Sequence, residues 1–251
     1  MRRLSALPAL ALALALSLAL SSAAPSAPRA LAAEPPPPAA PTPASPTTAT
    51  PTWVFVGDSL TAGFGLAREE AYVAVLEGLL KERGRAARLI NAGVSGDTSA
   101  GVRRRLSWVL RAAPEALFLC IGANDGMRGQ PIEAMKENIR ATVREAQGRG
   151  ARVYLLGVRL PPNYGEEYER AFNAAFPALA EELKVPFLPF LLEGVAAEAR
   201  LNLGDGIHPN AEGHRRLAAH VLSFLEERGD LAALPPAAHA AAPAALQGEG
   251  R

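Results

Sequence analysis

Gly57-Asp58-Ser59-Leu60 places a serine just after the apolar run Trp53-Val54-Phe55-Val56. β-branched and aromatic residues ending at a glycine predict a buried strand that runs into a turn. Gly57 can supply the bend, and the small residues beyond it let backbone N–H groups approach a ligand closely. A serine there is either a nucleophile or the cap of the next helix. A serine nucleophile needs a base to take its proton, and the chain has four histidines. His239 lies in a low-complexity tail, and His214 and His220 lie inside an expected helix, where packing or surface roles suffice. His208 belongs to the loop Leu203-Gly204-Asp205-Gly206-Ile207-His208-Pro209-Asn210. Asp205 can fold back across Gly206 to accept from His208 Nδ1, fixing the tautomer and leaving Nε2 as base. A capping loop explains the same Asp-x-x-His spacing. Acyl transfer also needs donors for the developing oxyanion. The Gly93 N–H, the Asn124 side-chain amide and the Ser59 N–H are the candidates, although Gly93 alone reads as a turn residue and Asn124 as a cap.

These residues need a scaffold that brings them together. Apolar runs predict strands over 53–56, 87–90, 116–121, 151–158 and 185–190. Apolar residues at helical spacing predict helices over 69–83, 99–113, 131–149, 166–183 and 209–227. Strands alternating with helices imply right-handed βαβ units, and continuous apolar strands imply a parallel sheet buried on both faces. In such a sheet Ser59, Gly93 and Asn124 all fall at the carboxyl edge, where open α/β sheets bind ligands.

In order along the chain, Gly57-Asp58-Ser59-Leu60, Gly93, Gly122-Ala123-Asn124-Asp125 and Asp205-Gly206-Ile207-His208-Pro209 resemble the four sequence blocks of the GDSL or SGNH hydrolases. The resemblance covers nearly all of 53–228. It is closest to the bacterial periplasmic branch of acyl-CoA thioesterase I, lysophospholipase L1 and arylesterase. It implies a flavodoxin-like three-layer α/β/α sandwich with five parallel strands. It also implies a Ser59-His208-Asp205 triad and an oxyanion hole of Ser59, Gly93 and Asn124. Leu160, Pro161, Phe190 and Ile207 are candidates for an apolar wall beside the acyl group. Expected substrates are aryl esters, acyl thioesters and lysophospholipid-type esters. The alternatives are a deacetylase of cell-wall or capsular polysaccharide using the same site, and a catalytically silent surface protein. Thr61 stands where an α/β-hydrolase nucleophile motif has its second glycine, which separates this chain from that class. No cofactor is expected. No metal is expected either, since His208 and His214 lack zinc-ligand spacing and there is one cysteine.

Composition bounds the rest. Residues 53–228 hold 22 Lys and Arg against 22 Asp and Glu, so nothing predicts electrostatic capture of nucleic acid. Arg103-Arg104-Arg105 reads as a solvated helix face. Arg2-Arg3, the Leu/Ala run over 4–20 and the small residues after it read as an export signal over 1–33. Pro8 and the short run argue against a membrane-spanning anchor, so membrane contact is expected only if the segment is uncleaved or through lipid substrates. A Pro-rich linker is expected over 34–52, the hydrolase domain over 53–228, and a disordered Ala/Pro tail over 229–251. The lone Cys120 excludes an intramolecular disulfide. A monomer exported to a bacterial periplasm or the exterior fits these features.

Overall fold

A computed structural model describes residues 50–161 and 163–237. The expected export signal, nearly all of the linker and the end of the tail lie outside the described residues.

Five strands form one parallel sheet: β1 (Thr52–Gly57), β2 (Arg88–Gly93), β3 (Ala116–Cys120), β4 (Arg152–Leu156) and β5 (Phe187–Leu188). Their order is β2-β1-β3-β4-β5. The helices are α1 (Ser59–Ala62), α2 (Tyr72–Glu82), α3 (Ser99–Val109), α4 (Ala123–Met127), α5 (Ile132–Gly148), α6 (Glu166–Leu183) and α7 (Ala211–Glu227). The chain moves from β1 to β2 and then back past β1 to β3. Right-handed crossovers therefore send α2 to one face and α3, α5 and α6 to the other. α7 returns to pack on α2, completing the α/β/α sandwich expected from the sequence. The direction reverses between β1 and β3, which opens a crevice between the loops carrying Ser59 and Asn124.

Strand register builds the core. Phe55, Phe118 and Tyr154 are paired across β1, β3 and β4. Their rings stack at 4.3 and 4.5 Å, and Tyr72 of α2 and Phe224 of α7 meet the stack edge-on. Cys120 is buried in β3 as the sequence suggested.

The differences from expectation have local causes. The predicted helix over 69–83 splits into a 3-10 turn (Arg68–Glu70) and α2, because the Tyr72 N–H donates to His214 Nδ1 at 3.0 Å. That bond takes the amide a continuing helix would need. β5 shrinks to Phe187–Leu188 because Pro186 and Pro189 flank it without N–H donors.

The expected disordered tail is corrected over 229–237, which packs on the domain. Leu231 and Leu234 are buried there. The buried Asp230 accepts from Arg152 Nη2 at 2.7 Å and Arg228 Nε at 3.1 Å. The Ala86 and Ala237 N–H groups bond across to Pro235 and Gly84 at 2.9 Å. Low-complexity composition concealed two leucines and an acid at packing positions. No helix among the described residues is long and apolar enough to cross a membrane.

Candidate active site

Ser59 opens α1 at the carboxyl end of β1. Asp58 caps this short helix, its Oδ1 accepting the Leu60 N–H at 3.0 Å. Gly57 is required by space, since a Cβ there would lie 2.5 Å from the Cys120 carbonyl oxygen and 2.2 Å from Thr61 Oγ1. The Ser59 turn is thus wedged between β3 and α1. Burial is the largest influence on Asp58 and pushes its carboxyl up to about 6.

The loop before α7 brings His208 to Ser59. His208 Nε2 lies 2.9 Å from Ser59 Oγ, and Nδ1 lies 2.7 Å from Asp205 Oδ2. Asp205 Oδ1 accepts the Ile207 and His208 backbone N–H groups at 2.9 and 3.0 Å. The His208 backbone N–H, then its ring, then the Ile207 N–H hold the Asp205 carboxyl well below the usual range. Gly206 makes this fold-back possible with a φ of 69°. Phe64, which the sequence did not single out, packs its ring on that of His208 with centroids 4.5 Å apart.

Asn124 sits in α4, directly after β3. Its Nδ2 donates to the Asp97 carbonyl at 2.9 Å and makes a long 3.5 Å contact with Asp58 Oδ2. The neighbouring Asp125 is buried and accepts Ser99 N–H and Oγ–H at 2.8 and 2.5 Å. This pairing fixes α4 against the start of α3.

Gly93 is a correction. Its N–H already donates to Asn91 Oδ1 at 3.0 Å, and a Cβ would strike the Ala62 backbone nitrogen at 2.3 Å. Gly93 is glycine so that β2 can pack against α1, and its amide is not free for an oxyanion. Three residues on, Gly96 turns with a φ of 78°, and its N–H has no hydrogen-bond partner among the described residues. The turn Ser95-Gly96-Asp97-Thr98, with its glycine just ahead of the α3 cap, was the signal that could have found it.

Arg105 reaches from α3 to bind three of these pieces. Its Nε meets Asp97 Oδ2 at 2.8 Å, Nη1 the Ala92 carbonyl at 2.7 Å and Nη2 the Gly57 carbonyl at 3.1 Å. A residue the sequence suggested was solvated therefore ties the ends of β1 and β2 to the Asp97 loop.

A cavity of about 570 Å³ opens beside Ser59, Asn124 and His208. Leu160, Pro161, Phe190 and Ile207 all line it, together with Met127 and Tyr164, which the sequence did not flag. Among the described residues no cluster of His, Cys, Asp and Glu is arranged to hold a metal ion.

Residues 55–216 match the model of the GDSL-like Lipase/Acylhydrolase family. The chain belongs to this family. It is 40% identical to Esterase TesA of Pseudomonas aeruginosa over 176 residues, covering 70% of this chain and 88% of the relative. It is 35% identical to Thioesterase 1/protease 1/lysophospholipase L1 of Escherichia coli over 162 residues, covering 64% and 76%. Among solved structures, the psychrotrophic esterase EstA of Pseudoalteromonas sp., inhibited by monoethylphosphonate, superposes with a TM-score of 0.69 at 31% identity. That match covers 71% of this chain and 98% of EstA. As a GDSL-family hydrolase with named esterase relatives the protein is an enzyme, and the silent surface-protein reading is set aside.

Proposed function

We propose that the protein is a serine esterase and thioesterase that works through an acyl-enzyme on Ser59. The reading rests chiefly on the continuous chain Ser59 Oγ–His208 Nε2, 2.9 Å, and His208 Nδ1–Asp205 Oδ2, 2.7 Å, at the mouth of an apolar cavity. In this reaction Ser59 Oγ attacks the carbonyl carbon while His208 Nε2 takes its proton. Asp205 holds the ring and stabilises the imidazolium. The oxyanion is held by the Ser59 N–H, Asn124 Nδ2 and the Gly96 N–H, the last replacing the Gly93 donor read from the sequence. The long Asn124–Asp58 contact leaves one amide proton for this task. His208 then protonates the departing alcohol, phenol or thiol, after which it activates water to release the acid and restore Ser59.

The mostly apolar lining supports acyl and aryl esters over acetylated glycans, whose sites present aromatic platforms. The thioesterase and lysophospholipase in the name of the E. coli relative support thioesters and lysophospholipids as further substrates. Export to the periplasm or exterior, action as a monomer, and membrane contact only through an uncleaved N-terminal segment or lipid substrates belong to the same proposal. The export reading is supported by the Arg2-Arg3 start and the Leu/Ala run that follows it.

The test is kcat/KM across aryl esters of graded acyl length, acyl-CoA thioesters, lysophospholipids and acetylated glycans. Acyl and aryl esters turned over fastest, with all activity lost in Ser59→Ala, is the expected result. Preference for acetylated glycans would favour the deacetylase alternative.

A further inference from the structure

The side of the cavity that follows β4 carries polar groups that the proposed chemistry at Ser59 does not use. Arg159, Asn163 and Tyr164 follow β4 and line the cavity. None of the three side chains is hydrogen-bonded or ion-paired to another described residue. The Arg159 guanidinium instead lies over the Phe190 ring, 4.9 Å from its centroid. A guanidinium seated over a ring face keeps N–H donors that can still bind an oxyanion. The amide of Asn163 and the hydroxyl of Tyr164 add neutral donors on the same stretch. No acid opposes them, because the one acidic residue lining the cavity, Asp58, is buried beneath Ser59 with 1% exposure.

We propose that Arg159, with Asn163 and Tyr164, forms a subsite for an anionic group of the substrate, a phosphate or a carboxylate. The inference rests on the esterase reaction proposed at Ser59 and names the substrates that site favours. β4 is two strands from β1, about 10 Å at the usual strand spacing of ~4.8 Å. The anion is therefore separated from the scissile carbonyl by a short apolar stretch along the sheet edge, and the preferred substrate is an amphiphile rather than a neutral ester. The anion can belong to either side of the ester. A leaving group can carry a phosphate, or an acyl chain can end in a carboxylate.

Two matched pairs separate these sources. The first compares decanoyl lysophosphatidate with monodecanoylglycerol. The second compares the p-nitrophenyl monoester of decanedioic acid with p-nitrophenyl decanoate. The intact protein is expected to favour the anionic member of one pair by about tenfold in kcat/KM, and the pair that responds identifies the source. Arg159→Gln is expected to erase that preference through KM, with a smaller change for the neutral ester, and Arg159→Lys to restore part of it. Equal use of both members in both pairs overturns the subsite. So does a loss in Arg159→Gln that is the same for charged and neutral esters. Calorimetric binding of decyl phosphate and decanol reads the subsite without turnover, so it stands even if the esterase reading fails. Decyl phosphate binding about tenfold weaker in Arg159→Gln supports the subsite, and unchanged binding overturns it.

Discussion

Asp205 shows how much of the proposed chemistry depends on single atoms. One carboxylate oxygen meets the imidazole and the other takes two backbone N–H groups, so in the proposed reaction the acid both orients the base and fastens its loop. Asp205→Asn can keep the backbone bonds through its carbonyl oxygen while presenting an amide donor to Nδ1. That arrangement favours the wrong tautomer. The variant should keep a near-wild-type melting temperature and lose about 10³–10⁴ in kcat on an aryl ester. Two of the three oxyanion candidates from the sequence, Asn124 and Gly93, should now separate. Asn124→Ala is expected to lower kcat by about 10²–10³ in folded protein. Gly93→Ala should instead act on stability, by about 1–3 kcal/mol, because its new methyl meets the Ala62 backbone. Denaturant titration alongside kinetics distinguishes the two effects.

Elements set where these atoms fall, and here Arg105 matters most. Its three bonds hold the end of β1, the end of β2 and the Asp97 loop, and the Asp97 carbonyl in turn holds the Asn124 amide. Arg105→Met should lower kcat on an aryl ester by about 10–100-fold with a smaller change in KM, since transition-state donors lose their alignment. Lysine cannot reach three acceptors from one fork, so Arg105→Lys should recover little. The succession of strands and most helices along the chain was legible because apolar periodicity and Pro/Gly punctuation are local signals. Ser59, Asp205, His208 and Asn124 were legible because their residue types lie at the carboxyl ends of predicted strands or in a Gly-rich loop. Gly93 misled for a physical reason. Close backbone packing and an exposed oxyanion amide both select glycine, and only the Asn91 bond tells them apart. Arg105 was hidden because an arginine that is surface-exposed by helical periodicity can still reach inward from α3. Phe64 was hidden because its partner, the His208 ring, lies far away in sequence.

At the scale of the molecule, α2 and α7 are joined through His214, a histidine the proposed reaction does not use. It is 1% exposed and accepts the Tyr72 N–H, and burial lowers its pKa to about 4. The folded protein therefore resists protonating His214, whereas the unfolded chain takes up the proton near the ordinary histidine value of about 6.5. Stability from this group is complete above that value and is lost as pH falls from about 6.5 to about 4, by on the order of 3 kcal/mol. Asp58, raised to about 6, has the opposite sign. Its contribution falls as pH rises from the unfolded value near 3.8 towards 6. Wild-type stability should consequently change little between about 4 and 6, where the two slopes oppose each other. The stability advantage of wild type over His214→Asn should shrink by on the order of 3 kcal/mol on acidification from pH 6.5 to 4, measured by urea titration at each pH.

The proposed reaction stands on activation of Ser59 by His208 at the carboxyl edge of the sheet. The most direct measurement is mass-spectrometric mapping of the adduct formed by a fluorophosphonate on folded protein. A single adduct on Ser59, absent in Ser59→Ala and formed far more slowly in His208→Gln, is the predicted result. Folded wild-type protein that takes no label at Ser59, or labels as fast without the imidazole, would contradict it.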